Sequence, residues 1–164
     1  MRLTAQFIGQ GRRSSIRMRL TLDREVPFPR DSVFAWWTDF REDDHRHPDS
    51  PARSTRLIIR RNENEIWLRD RATRPAPMTI DEHVTLDPPN GYAVEARYPG
   101  ADVRYAYRFD PHDTGTRITL DVEVNPRHFG RILVPLTAAW WRRYAARDFD
   151  YHLAQMTREF KGRT

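Results

Sequence analysis

From Ile16 to Val26 apolar and polar positions alternate, with Ile16, Met18, Leu20 and Leu22 set against Arg17, Arg19, Thr21 and Asp23. A side-chain period of two predicts a strand with one buried face. Pro27–Ser32 interrupts the pattern. Pro29 suits a helix start, where its missing N–H is no loss. Val33, Phe34, Trp37 and Phe40 follow at helical spacing and predict a short amphipathic helix. Residues 41–56 are polar, contain Pro48 and Pro51, and read as a second short helical turn plus a loop. Strand patterning then returns in Thr55–Arg61, centred on Leu57 and Ile59. It continues in Glu65–Arg74, with Ile66, Leu68, Asp70 and Ala72 on one face, and in Met78–Leu86, where Met78, Ile80, Glu82, Val84 and Leu86 share a face. Asp87–Gly91 is a strong turn signal, with two prolines, Asn90 and Gly91 in succession. Three more strands follow: Tyr92–Tyr98, a segment alternating Val103, Tyr105, Tyr107 and Phe109, and one alternating Ile118, Leu120, Val122 and Val124. Strands joined by short turns predict an antiparallel meander. Pro126 ends it. From about Arg127 to Lys161 apolar residues recur at three- and four-residue steps: Ile132, Leu136, Ala139, Ala146, Phe149, Leu153, Met156 and Phe160, with Arg143 in phase. This predicts one helix of about nine turns, with Pro135 near its start.

This pattern predicts an α+β fold: a curved antiparallel sheet of six or seven strands around a long C-terminal helix, with two short helices after the first strand. Residues 1–15 read as an extension and 16–161 as one domain, as 164 residues suggest. Aromatics at 12% and hydrophobic residues at 38% exclude a disordered chain. No apolar run reaches the ~18 residues of a membrane span. Without cysteine, disulfides, thiolate metal sites and a catalytic thiol are excluded. No signal-peptide pattern is visible at the N-terminus, and a cytoplasmic location is expected. Of the 28 basic residues all but Lys161 are arginine, and the net charge is +5. The arginines are scattered among acids, so a nucleic-acid partner is not expected.

The element order, together with the segment Asp23–Phe40 (a strand end, the Pro27–Pro29 start, Val33-Phe34, then Thr38-Asp39), resembles the START-like helix-grip superfamily, the SRPBCC or polyketide cyclase/dehydrase group. The family usually carries Trp-Pro after the second short helix; here that region reads His45-Arg46-His47-Pro48. The resemblance implies a hydrophobic cavity between sheet and helix. It also implies ligands such as lipids, isoprenoid quinones or aromatic polyketides, some members being cyclases or dehydratases. Binding or transport of such a molecule is the leading expectation, ahead of a cyclase/dehydratase-type enzyme and of an interaction module with a packed core. No cofactor is expected.

A sheet curved around one helix leaves gaps where apolar ligands sit. Tyr92, Tyr98, Tyr105, Tyr107 and Phe109 would line the concave face, or form ordinary core. Asp70 and Glu82 are the candidate acid and base, being in phase with apolar neighbours. If the Pro75–Pro77 turn joins adjacent strands, residue 70 falls opposite about 82 or 83. Arg142 or Arg143 would point inward and pair with the acids, Arg143 counting among the ligand-binding candidates. The plainer reading is a structural ion pair. Trp140 is a further pocket candidate, and Trp140-Trp141-Arg142-Arg143 also suits peripheral contact with an anionic membrane. Asp43, Asp44, His45, His47 and Asp49 carry metal-capable side chains, but no diagnostic spacing marks a metal site, and a solvated loop is favoured.

Overall fold

The computed structural model describes residues 17–40, 42, 53–73, 76–127 and 130–162, residues 130–137 by their helical course alone. β1 (Met18–Val26) leads to α1 (Arg30–Trp37). β2 (Ser54–Arg61), β3 (Glu65–Ala72), β4 (Met78–Asp87), β5 (Gly91–Tyr98), β6 (Ala101–His112) and β7 (Gly115–Pro126) follow, and α2 (Gly130–Lys161) closes the chain. The predicted second short helix and the residue 1–15 extension lie outside the described residues, as does the Asp43–Asp49 cluster.

All seven strands form one antiparallel sheet in the order β1-β7-β6-β5-β4-β3-β2. β2 to β7 are a meander, and β1 crosses over to pair with β7, Met18 facing Val124 and Val26 facing Thr116. The register carries one buried row across the whole sheet. Met18, Val124, Val103, Ala96, Glu82, Leu68 and Ile58 succeed one another from edge to edge. The neighbouring row runs Leu20, Val122, Tyr105, Val94, Val84 and Ile66. The alternation predicted for these strands therefore specifies one concave face, as a period of two requires.

β2 departs from its predicted phase. Leu57 and Ile59 are each 54% exposed, while Ser54 and Arg56 are buried. The inward face of this edge strand is polar because Arg56 finds a carboxylate partner there, and a bulge between Ile58 and Arg60 shifts the register beyond it.

α1 starts after Pro29 and ends on Thr38, whose backbone N–H and hydroxyl both donate to the Phe34 carbonyl. Its Trp37 packs on Tyr107 and Phe109 of β6 and on Phe149 of α2. Toward its C-terminal end α2 is held by Phe160 edge-on to Phe28, and by Trp36 donating from Nε1 to Glu159. Among the described residues, the α2 backbone runs nearest to β1 and β7, so side chains fill or line the wider space over β3–β6.

Candidate functional site

The concave face has two regions. In one, aromatic rings pack as core. Tyr92 stacks on Tyr107 (4.6 Å, 11°), Phe40 meets Tyr92 edge-on, and Phe109 is 1% exposed beneath Phe34 and Trp37. Phe40 takes a positive φ of 45° where the chain leaves α1, and Arg61 fixes that turn by donating to the Asp39 and Phe40 carbonyls.

The other region is polar. Arg56 binds Asp70 through two parallel bonds, Nε to Oδ1 (3.0 Å) and Nη2 to Oδ2 (2.9 Å), and its guanidinium faces the Phe40 ring. Both side chains are buried, and Ser54 Oγ also reaches the carboxylate. Two charges removed from water persist only with such paired geometry. Glu82 stands 4.0 Å from the same guanidinium. Burial pushes its carboxyl up to about 7; Arg56 pulls it down, while Asp70 and Asp148 push it further up.

From β5 and β6, Tyr98 and Tyr105 share a hydroxyl–hydroxyl hydrogen bond of 2.9 Å, and Tyr98 meets Trp141 edge-on. From α2, Tyr144, Asp148 and His152 lie on the sheet-facing side. Asp148 Oδ1 is buried with no hydrogen-bond partner among the described residues, and burial raises its carboxyl pKa against the pull of His152 and Arg56. Burial likewise raises the hydroxyls of Tyr92, Tyr98, Tyr105, Tyr107 and Tyr144. Glu82 adds to the shift at Tyr98, Tyr105, Tyr107 and Tyr144, and Asp148 adds to it at Tyr98, Tyr107 and Tyr144. Tyr98, Tyr105, Tyr107 and Tyr144 are thus neutral hydroxyls near an acid that titrates near neutrality. Glu82, Tyr98, Tyr105, Tyr107 and Tyr144 are each partly buried.

The structure brings together Asp70, Glu82, Tyr105 and Tyr107, and places Tyr92 and Phe109 in the adjoining packed aromatics. It does not bring in Trp140 or Arg143. Trp140 is 44% exposed and Arg143 is exposed, because Trp141 and Ala145 carry the inward phase of this part of α2. The acids are paired by Arg56 instead of Arg142 or Arg143. The register also differs by two to three residues: Asp70 faces Ile80 and Glu82 faces Leu68, so the two acids are diagonal neighbours on one face. Arg56, Tyr144, Asp148 and His152 were missed. The i, i+3, i+7, i+11 spacing of Trp141, Tyr144, Asp148 and His152 was the available signal for α2. Among the described residues no cluster suits a metal ion, and no helix is long and apolar enough to cross a membrane.

A seven-stranded antiparallel sheet with one long C-terminal helix packed on its face is the helix-grip architecture. The chain belongs to the polyketide cyclase/dehydrase and lipid transport family, whose model matches residues 17–161. No curated protein matches it in sequence. The fold is similar to that of the Zhui aromatase/cyclase from Streptomyces sp. R1128 (15% identity, 88% of this chain and 96% of that one, TM-score 0.70). It is also similar to the protein TTHA0849 from Thermus thermophilus (14% identity, 84% and 93%, TM-score 0.64). The di-domain ARO/CYC BexL from the BE-7585A biosynthetic pathway matches over 48% of its length (14% identity, 85% of this chain, TM-score 0.68).

Proposed function

We propose that the chain binds a largely apolar small molecule carrying oxygen functions in the space between the sheet and α2. The observation that carries this reading is the group of neutral hydroxyls near Glu82. No described residue donates a hydrogen bond to Glu82, and Asp148 Oδ1 is buried with no hydrogen-bond partner among the described residues, whereas buried polar groups normally have one. A ligand hydroxyl would supply one. The aromatic walls, Tyr98, Tyr107 and Trp141, would hold the apolar body. Family membership supports a small-molecule site of this kind; the ligand classes considered are lipids, isoprenoid quinones and aromatic polyketide-like compounds.

Native mass spectrometry of the purified full chain, followed by denaturing extraction, tests the reading. A released lipid, quinone or aromatic compound is the expected result. Ala145→Phe, which adds bulk on the sheet-facing side of α2, should abolish it while leaving the far-UV circular dichroism unchanged. A clean apo mass that stays unchanged after incubation with a panel of those three classes would overturn it.

The pKa of Glu82 favours a second reading, a cyclase or dehydratase. An acid titrating near 7 beside a fixed guanidinium can give and take protons at neutral pH. In that reading Glu82→Gln retains ligand and loses turnover, whereas a carrier keeps its full function.

A further inference from the structure

The outer face of α2 takes no part in the site described above. Trp140, Arg143, Arg147, Asp150, Ala154, Arg158 and Lys161 are all exposed, and at 100° per residue they fall in one stripe about 80° wide and about 31 Å long. Asp150 is its only acid, and Arg24 occupies that carboxylate at 2.9 Å. Among the described residues, no carboxylate pairs with Arg143, Arg147 or Arg158. On the convex face of the sheet Arg69, Arg97, Arg108 and Arg117 each sit against an acid. Arg71 and Arg104, which have no acid partner among the described residues, stand apart on β3 and β6, strands that do not adjoin, so no continuous cationic row forms there. Trp140 stacks on Tyr144 (5.3 Å, 15°) and meets Trp141 edge-on (5.2 Å, 80°), so its ring is braced outward. Arg158 and Lys161 also suit the negative end of the helix dipole, but Arg143 and Arg147 are mid-helix, where that effect has faded.

We propose that this face of α2 docks the protein onto a bilayer containing anionic lipid. A straight ridge of cations matches a plane of charged headgroups, each cation adding attraction within a Debye length. Tryptophan partitions to the headgroup level, and Trp140 stands at one end of the ridge, where it would enter that layer. A nucleic-acid groove is matched less well, because the ridge has no aromatic side chains interleaved with its cations.

The test is co-sedimentation of the full chain with phosphatidylcholine vesicles, with and without phosphatidylglycerol. Binding is expected to require phosphatidylglycerol and to weaken with added salt. Arg143→Glu with Arg147→Glu should reduce it roughly tenfold or more, and Trp140→Ser should reduce it at any salt concentration. The milder pair Arg143→Gln with Arg147→Gln should give an intermediate loss, and circular dichroism checks that each variant is folded. Arg71→Glu with Arg104→Glu, on the convex face, should leave binding intact. The proposal is overturned by equal binding to both vesicle types, by failure to bind either, or by indifference to the Arg143 and Arg147 changes. Retention on a DNA duplex with the same arginine dependence and no vesicle binding would also overturn it. None of these outcomes depends on what occupies the interior.

Discussion

Glu82 is held at about 7 by burial, although a guanidinium stands 4.0 Å away, because Asp70 already takes both donors of that guanidinium's Nε–Nη2 edge. A carboxyl whose pKa is higher in the folded state than in the unfolded chain favours folding when protonated. The contribution is complete below about 4.5, the ordinary value, and is lost as pH rises through about 7. Glu82→Gln stays neutral, so by linkage it should be about 3 kcal/mol more stable than the parent chain at pH 8 and equal to it near pH 4, as read by urea denaturation. Asp70 is held by its ion pair with Arg56. Asp70→Ala leaves Arg56 charged and buried and should cost about 3–5 kcal/mol, while Asp70→Leu with Arg56→Met should recover most of the loss. Both acids were legible in the sequence because they stand in phase with apolar neighbours. Arg56 was not, because Leu57 and Ile59 drew the inward face of β2 to the wrong parity, and only tertiary contact with Asp70 decides between the two faces.

At the scale of elements, the strands were read from their alternation and the helix from its stripe, yet the phase of the stripe drifted. Phe149, Leu153, Met156 and Phe160 are packed as expected, but toward the N-terminal half Trp140-Trp141 and Arg142-Arg143 offer the same residue types at adjacent angles. Periodicity alone cannot choose between neighbours 100° apart, whereas packing of Trp141 against Tyr98 does. The Tyr98–Tyr105 link also ties β5 to β6 from above the sheet. Tyr98→Phe and Tyr105→Phe should each cost about 1 kcal/mol, and the double variant little more than either single one, since each single change strands the other hydroxyl. Gly91 opens β5 where a Cβ would collide with the Tyr107 carbonyl. Gly91→Ala should therefore lower the thermal midpoint even though alanine is otherwise acceptable in a strand, and calorimetry would show it.

For the whole molecule, Trp37 joins α1, β6 and α2 in one aromatic hub. Trp37→Ala should cost about 3–5 kcal/mol and loosen the grip of helix on sheet, visible as faster hydrogen exchange in α2. The architecture was legible because seven alternating segments and one long helix leave few ways to bury a single face of each. The interior chemistry was only half legible, because it is assembled from β2, β3, β4, β5, β6 and α2, and which residues converge there depends on register and helix rotation. The pairing of Met18 with Val124 has a further consequence, during synthesis. A chain emerging N-terminus first presents Met18, Leu20 and Leu22 long before β7, their partner, has left the ribosome. β1 must therefore wait through most of translation with its apolar face uncovered, and the sheet completes at its first-made edge last. Closing so long a loop is slow, and the interval before it closes is when a nascent chain of this topology is most exposed to aggregation.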